Sequence, residues 1–221
     1  MSLQIAIDGP VGAGKSTIAK ECAKRLGIVY MDTGALYRAV GVYCKESGVD
    51  AYDEEAVADY LKNINIKIRL ADGVQYIIIN DKDITDRIRT PEASMLASKV
   101  SSYGAVRAFL LDLQRDFAAN NSVIMDGRDI GTVILPKADV KIFLSADAEE
   151  RARRRYDELV GKGQSVNFDD VLKDLEKRDR NDSSRANAPL KQADDAILLN
   201  TTGFTFNESV ERVMQIIKSK G

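Results

Sequence analysis

A lysine and a hydroxyl, Lys15 and Ser16, stand directly behind three glycines in the stretch Gly9-Pro10-Val11-Gly12-Ala13-Gly14-Lys15-Ser16-Thr17. The spacing satisfies every fixed position of the G-x-x-x-x-G-K-[ST] phosphate loop. The flanks are also those the motif requires, an apolar run from Leu3 to Ile7 before it and an amphipathic segment from Thr17 to Leu26 after it. Each residue type has a task. Glycines let backbone N–H groups converge on phosphate oxygens without Cβ clashes. The helix N-terminus adds positive potential, Lys15 reaches the β- and γ-phosphates, and the Ser16 hydroxyl sits on Mg²⁺. The competing reading is a glycine-rich turn that merely joins a strand to a helix; the complete motif in its proper flanks disfavours it. The stretch implies binding of a nucleoside triphosphate and leaves the destination of the phosphoryl group open.

Two further features bear on that destination. The chain has no histidine, which excludes Ser-His and His-metal mechanisms. An acceptor that is itself a phosphomonoester is mostly dianionic at neutral pH and needs no general base, only positioning and positive charge. Positive charge is concentrated in residues 151–185, which hold Arg151, Arg153, Arg154, Arg155, Arg178, Arg180 and Arg185, seven of the sixteen arginines. Acids are frequent there too, so by itself the segment reads as a solvated, salt-bridged helical pair. Downstream of a triphosphate site the same arginines suit a lid, because planar guanidinium forks contact phosphate bidentately and a closing arm excludes water. Asp126-Gly127-Arg128-Asp129 follows the apolar run Val123–Met125, at the carboxyl end of a strand, where α/β sheets place ligands. An Asp–Arg pair fixing a turn is the alternative there, and a Walker-B-like acid at Asp126 stays open.

The elements that must hold these residues follow from periodicity. Leu3–Ile7 is a buried strand. The next helix carries Ile18, Cys22 and Leu26 and stops at Gly27, and Ile28–Met31 completes a βαβ unit with parallel strands. Asp32 or Thr33 caps a helix bearing Leu36, Val40 and Tyr43. After a helix over 53–62, Ile64, Ile66, Ile68 and Leu70 alternate with polar residues. Asp72-Gly73 turns the strand, Tyr76–Ile79 returns, and Asn80-Asp81-Lys82-Asp83 turns again. This antiparallel meander interrupts an otherwise α/β pattern as an inserted subdomain. Thr90 caps a helix with Pro91 at its first position, and Val106, Phe109, Leu110, Leu113 and Phe117 give one face to a helix over about 104–119. Val123–Met125, Val140–Leu144 and Ile197–Leu199 are core strands. Asp147 with Glu150, and Thr205 with Glu208, form capping boxes; the last helix faces the core with Val210, Val213, Met214 and Ile217.

At 221 residues the chain suits one domain with small insertions. Its net charge of −2 argues against a general nucleic-acid or membrane-surface binder. No leader pattern opens it, and no apolar run exceeds about half a dozen residues, far short of a span. Cys22 and Cys44 have no metal-ligand spacing, and two cysteines without a disulfide pattern fit a reducing, cytoplasmic setting.

Taken together, the strings IAIDGPVGAGKST, MDTGALYR, IRTPEAS, DGRDIGTV, VKIFL with the ERARRR run, and RDRNDSSRANAPL resemble the bacterial cytidylate (CMP/dCMP) kinases of the nucleoside monophosphate kinase group, over essentially the whole chain. The meander near 64–84 matches the enlarged monophosphate-binding insert of that family. The resemblance implies a P-loop NTPase-type α/β fold, a five-stranded parallel sheet flanked by helices, with an antiparallel monophosphate-binding insert and a short helical lid. It divides one kinase domain, 1–221, into a core (1–35, 105–147 and 190–221), an insert (about 36–104) and a lid (about 148–189). It implies ATP-dependent phosphorylation of CMP and dCMP with Mg²⁺, in a cytoplasmic monomer without nucleic-acid or membrane partners.

Residue by residue, the resemblance implies that Gly9 to Thr17 and Arg154 bind ATP. Thr33, Arg38, Ser98, Arg107, Arg128, Asp129, Arg178 and Asp182 would line the monophosphate site. Arg38, Arg128 and Arg178 would hold the acceptor phosphate, Ser98, Arg107 and Asp129 would read the cytosine edge, and Asp182 with Arg178 would face the sugar. Arg154 and Arg185 match lid residues that meet ATP or the transferred phosphoryl group, so Lys15, Arg128, Arg178 and Arg185 form the expected catalytic set. A carboxylate at Asp129 can accept from the N4 amine of cytosine, whereas uracil offers O4, another acceptor. The nearest rivals are P-loop kinases for UMP, AMP or shikimate, and a nucleotide-dependent switch protein. The meander and the DGRD and RDRND strings speak against the former. A missing N-K-x-D string and the second arginine-rich anion site speak against the switch.

Overall fold

The computed structural model describes residues 2–71 and 73–220. The chain runs through β1 (Gln4–Asp8), α1 (Lys15–Leu26), β2 (Val29–Asp32), α2 (Thr33–Glu46), α3 (Glu54–Tyr60), β3 (Ile66–Ala71), β4 (Val74–Ile79) and β5 (Lys82–Asp83). It continues through α4 (Pro91–Val100), α5 (Gly104–Asn120), β6 (Val123–Gly127), β7 (Val140–Ser145), α6 (Ala148–Gly161), α7 (Phe168–Ser184), β8 (Ile197–Asn200) and α8 (Phe206–Lys220). A five-stranded sheet has the order β2-β6-β1-β7-β8, and all its pairings are parallel. β1 and β2 belong to one parallel sheet as expected, but they are not neighbours, because β6 is inserted between them. The order reversal puts the carboxyl ends of β1, β2 and β6 together, which is where such sheets bind ligands.

Alternation along the central strands divides the core between the two faces of the sheet. Ile5, Ile7 and Ile124 join α1 and α8 residues such as Ile18, Cys22, Val210 and Ile217, while Ala6, Val123 and Met125 join Leu36, Val40 and Leu110 from α2 and α5. The α8 face is the expected one, Val210, Val213, Met214 and Ile217 all being buried, and its Thr205–Glu208 box forms. The box expected at Asp147 does not. The Asp147 N–H donates to Thr202 Oγ1 at 2.9 Å and Glu150 is drawn into an ion pair with Arg154 at 3.0 Å, so the half that would run from Glu150 to the Asp147 N–H is taken, and the Asp147 side chain makes no cap bond. On α5 the buried positions are Val106, Leu110, Gln114 and Ala118, with Phe109, Leu113 and Phe117 only partly covered. Gln114 lies in the core with its amide nitrogen donating to the Leu110 carbonyl at 2.9 Å and its Oε1 buried without a hydrogen-bond partner among the described residues.

The meander is a separate antiparallel sheet, β3-β4-β5, with Ile66 opposite Ile79 and Ile79 opposite Lys82. The Asp72 part of its first turn lies outside the described residues. In the second turn Asn80 and Asp81 have φ of 48° and 63°, as a two-residue hairpin requires, so Lys82-Asp83 is strand rather than turn. α2 runs unbroken across residue 35, so the core–insert boundary expected there falls inside a helix. α6 and α7 pack through a small cluster of their own, Ala152, Leu159, Val171 and Leu175. No helix among the described residues is long and apolar enough to cross a membrane.

Candidate active site

The loop between β1 and α1 is shaped from below. A Cβ at Gly9, whose φ is +150°, would lie 1.9 Å from the Leu144 carbonyl oxygen, so only glycine lets the chain pass this close to β7. Above it, Lys15 starts α1 and donates to the Pro10 carbonyl at 2.7 Å. Burial and the neighbouring Arg128 guanidinium lower the Lys15 ammonium to a pKa of about 7, against the attraction of Asp126, Asp8 and Asp182. Its cation is held where only an incoming anion can stabilise it fully. The Ser16 hydroxyl donates to Asp126 Oδ2 at 2.8 Å, and the Tyr30 hydroxyl donates to Oδ1 of the same carboxylate at 2.7 Å. Asp126, at the carboxyl end of β6, is buried, and its pKa is raised by that burial and by Asp32. Asp126, for which a Walker-B-like role stays open, thus faces the serine of the loop.

A cavity of about 770 Å³ extends from this loop toward α4 and α5. Val11, Gly12, Gly14, Lys15, Ser16 and Thr17 of the loop line it; Gly9, Pro10 and Ala13 are buried beneath and shape the loop instead. Arg154 leans over the loop from α6. Its Nη1 is 3.9 Å from where a Cβ would stand at Gly14, and its Nη2 donates to the Thr201 carbonyl at 2.9 Å. The wall carries eight cationic side chains against five carboxylates, in a chain of net charge −2. The site is a local concentration of positive charge that an anion-rich ligand would neutralise.

The far half gathers the remaining expected residues. Arg38 pairs with Asp32 at 2.6 Å, and Arg128 Nε with Asp182 at 2.8 Å. Arg107 pairs with Asp129, and its guanidinium lies 5.6 Å from the Tyr37 ring centroid. Ser98 comes from α4 and lines the same cavity. Thr33 lines it too, but its hydroxyl donates to the Asp126 carbonyl at 2.8 Å, which ties α2 to β6 and leaves Oγ1 only as an acceptor for a ligand. Burial raises the Asp129 carboxyl against the lowering effect of Arg107, Arg185 and Arg128.

Arg185 departs from expectation. It lines the same cavity, but on the far side: its Nε donates to the Ala188 carbonyl at 2.6 Å and its guanidinium is enclosed beside Asp129 (3.8 Å), Asp182 (3.9 Å) and Ser101 (3.5 Å), with Nη2 buried and without a hydrogen-bond partner among the described residues. The Ala188 carbonyl and these two carboxylates hold it in the far half. Arg178 is the opposite case. It lines the cavity and makes no side-chain hydrogen bond or ion pair among the described residues; burial and Arg128 push its pKa below the usual arginine value. Sequence reasoning missed Phe204 and Phe206, aromatic rings 39% and 46% exposed on the near wall, because they flank Thr205 and only the cap was legible.

The cytidylate kinase family model matches residues 5–219. The chain belongs to the cytidylate kinase family. A cytidylate kinase of Carboxydothermus hydrogenoformans is 49% identical over 218 residues, covering 99% of this chain and 98% of its own. One of Leuconostoc mesenteroides is 47% identical over 218 residues, covering 99% and 97%. A crystal structure of an uncharacterized protein from Eubacterium ventriosum, 14% identical with a TM-score of 0.56 and 99% of each chain covered, supports the fold alone. As a cytidylate kinase family member the chain is a nucleoside monophosphate kinase. The readings as a UMP, AMP or shikimate kinase or a switch protein are not favoured.

Proposed function

We propose a division of labour for the ATP-dependent phosphorylation of CMP and dCMP that this cytidylate kinase family member performs. The γ-phosphoryl group passes directly from ATP to a phosphate oxygen of the acceptor. The new P–O bond forms as the bond to the β-phosphate bridging oxygen breaks, giving ADP and CDP or dCDP. The loop from Gly9 to Thr17 and Arg154 hold the donor, and Lys15 meets its β- and γ-phosphates. Arg38, Arg128 and Arg178 hold the acceptor phosphate. The dianionic acceptor is its own nucleophile, so no base is required in a chain that lacks histidine. Lys15, Arg128 and Arg178 stabilise the charge of the in-line transition state by positioning alone.

Ser98, Arg107 and Asp129 read the cytosine edge, with Asp182 at the sugar. Arg185, held between Asp129 and Asp182, acts from this side by fixing those two carboxylates. The Ser16 hydroxyl and the Asp126 carboxylate are paired oxygens of the kind Mg²⁺ takes, and no cluster of three or more acidic, Cys or His ligands exists among the described residues to favour another metal. Mg²⁺ would be held by Ser16, with Asp126 behind it, and would neutralise phosphate charge when bound with ATP. The core, insert (about 36–104) and lid (about 148–189) form one domain that acts as a cytoplasmic monomer.

The observation that carries these assignments is the unpaired Arg178 facing a cavity that begins at the phosphate loop. Phosphorus NMR of an ATP and CMP mixture tests them: ADP and CDP should appear one for one, and ATP loss without CMP at a comparable rate would contradict direct transfer.

A further inference from the structure

Two charged residues of the arginine-rich segment, Arg151 and Asp179, make hydrogen bonds to the backbone of the phosphate loop. Asp179 of α7 accepts the Val11 N–H on Oδ1 at 3.3 Å and Arg151 Nη1 on Oδ2 at 2.6 Å. The same Arg151 Nη1 donates to the Val11 carbonyl at 2.8 Å, while its Nε donates to the Ala146 carbonyl at 2.8 Å. Both backbone polar groups of Val11 are therefore held by side chains from α6 and α7. The pair is largely enclosed, with the two side chains 8% and 20% exposed. Packing agrees: a Cβ at Gly12 would sit 3.1 Å from both the Arg151 Cβ and the Leu175 Cδ1, so the loop lies directly against both helices.

Asp179 is also the immediate neighbour of Arg178 and lies three residues before Asp182 on a continuous helix. A shift of the Val11 peptide on phosphate binding is thus passed to the helix that presents the acceptor-side arginine. We propose that Asp179 is a positioning residue: with Arg151 it locks α7 to the phosphate loop, so that donor binding sets Arg178 and tightens the site for the nucleoside monophosphate. The proposal rests on the donor and acceptor halves assigned above.

The test has two arms, both with a non-hydrolysable ATP analogue and Mg²⁺. In the first, hydrogen exchange of the wild-type Phe168–Ser184 segment is followed with the analogue alone; slowed exchange is expected, and bound analogue with unchanged exchange would overturn the proposal. Failure of the analogue to bind at all would instead count against the donor-site assignment. In the second, the CMP Kd is measured with and without the analogue by calorimetry. The wild-type ratio should be about 5- to 150-fold, the usual size of coupling between sites. It should fall below about twofold in Asp179→Asn and in Arg151→Met, with the double variant no lower than either single one. Asp179→Asn keeps an oxygen for the Val11 N–H, so its fold is expected to survive, and a thermal unfolding curve checks this. A wild-type ratio of one, a retained ratio in either variant, or independent losses in the double variant would overturn the coupling.

Discussion

Replacing Arg178 by Met should separate catalysis from stability. In the free protein this arginine makes no hydrogen bond or ion pair with a carboxylate among the described residues, and burial and Arg128 disfavour its charge more than Asp182 and Asp179 favour it, so its removal breaks no such bond. Met keeps most of the apolar stem. With an acceptor phosphate in place, a guanidinium fork makes two charge-assisted hydrogen bonds at roughly 1.5–3 kcal/mol each. Their combined loss, about 3–6 kcal/mol, corresponds to a fall of about 10²- to 10⁴-fold in kcat/KM for CMP. The assay couples ADP release to NADH oxidation across CMP concentrations, beside thermal unfolding and titration of the ATP analogue. The expected outcome is a Tm at or above wild type, unchanged analogue affinity and the stated catalytic loss. Arg107→Met is the contrast: it takes a partner from the buried Asp129, and breaking such a pair costs about 3–5 kcal/mol, so its Tm should drop clearly. If Arg178→Met lost stability as Arg107→Met does, while keeping kcat/KM within about threefold, the reasoning about an unpaired anion-seeking arginine would be refuted.

Three further outcomes follow from the geometry. Lys15 titrates near pH 7 in the free protein and phosphate favours its charged form, so nucleotide binding between about pH 7 and 9 should take up a proton, and affinity should weaken as pH rises through that window. Calorimetry in buffers of different ionisation enthalpy reads the uptake, and none at pH 8 in either the protein or Lys15→Met would contradict the lowered ammonium. Asp129→Ala should narrow the CMP over UMP preference in kcat/KM by about 10- to 100-fold, the effect of leaving one base-edge group unpaired, and an unchanged ratio would remove Asp129 from base reading. Gly9→Ala should lower stability by about 3 kcal/mol or more in urea unfolding, because the added Cβ meets a strand carbonyl that cannot move aside; a wild-type midpoint would show that the strand gives way.

How much of this was legible in the sequence varied with the range of the interaction. The phosphate loop was complete because its function depends on residue types at fixed local spacing, and the α8 face and its cap followed from periodicity alone. The neighbour of β1 was not legible, since insertion of β6 between β1 and β2 is a long-range pairing that leaves no local trace. Arg185 shows the same limit within the site. Its type and its place among clustered arginines suit a phosphate contact, but its direction is set by the Ala188 carbonyl together with Asp129, 56 positions away in the chain, and Asp182, one helical turn before it. The Asp147–Glu150 box does not form because Thr202, just past the end of β8, takes the Asp147 N–H and Arg154 takes the Glu150 carboxylate. For Asp126 the sequence leaves a Walker-B-like role open, because its contact with Ser16 depends on the parallel register that places β6 beside β1.

The most direct measurement of the central claim is the rate of ADP release from ATP and Mg²⁺ with CMP, dCMP, UMP, AMP, GMP and shikimate in turn. The account predicts that CMP and dCMP give the highest kcat/KM, UMP trails them by about tenfold or more, and no acceptor leaves little ADP. Equal rates across the acceptors, or ADP release independent of any acceptor, would contradict it.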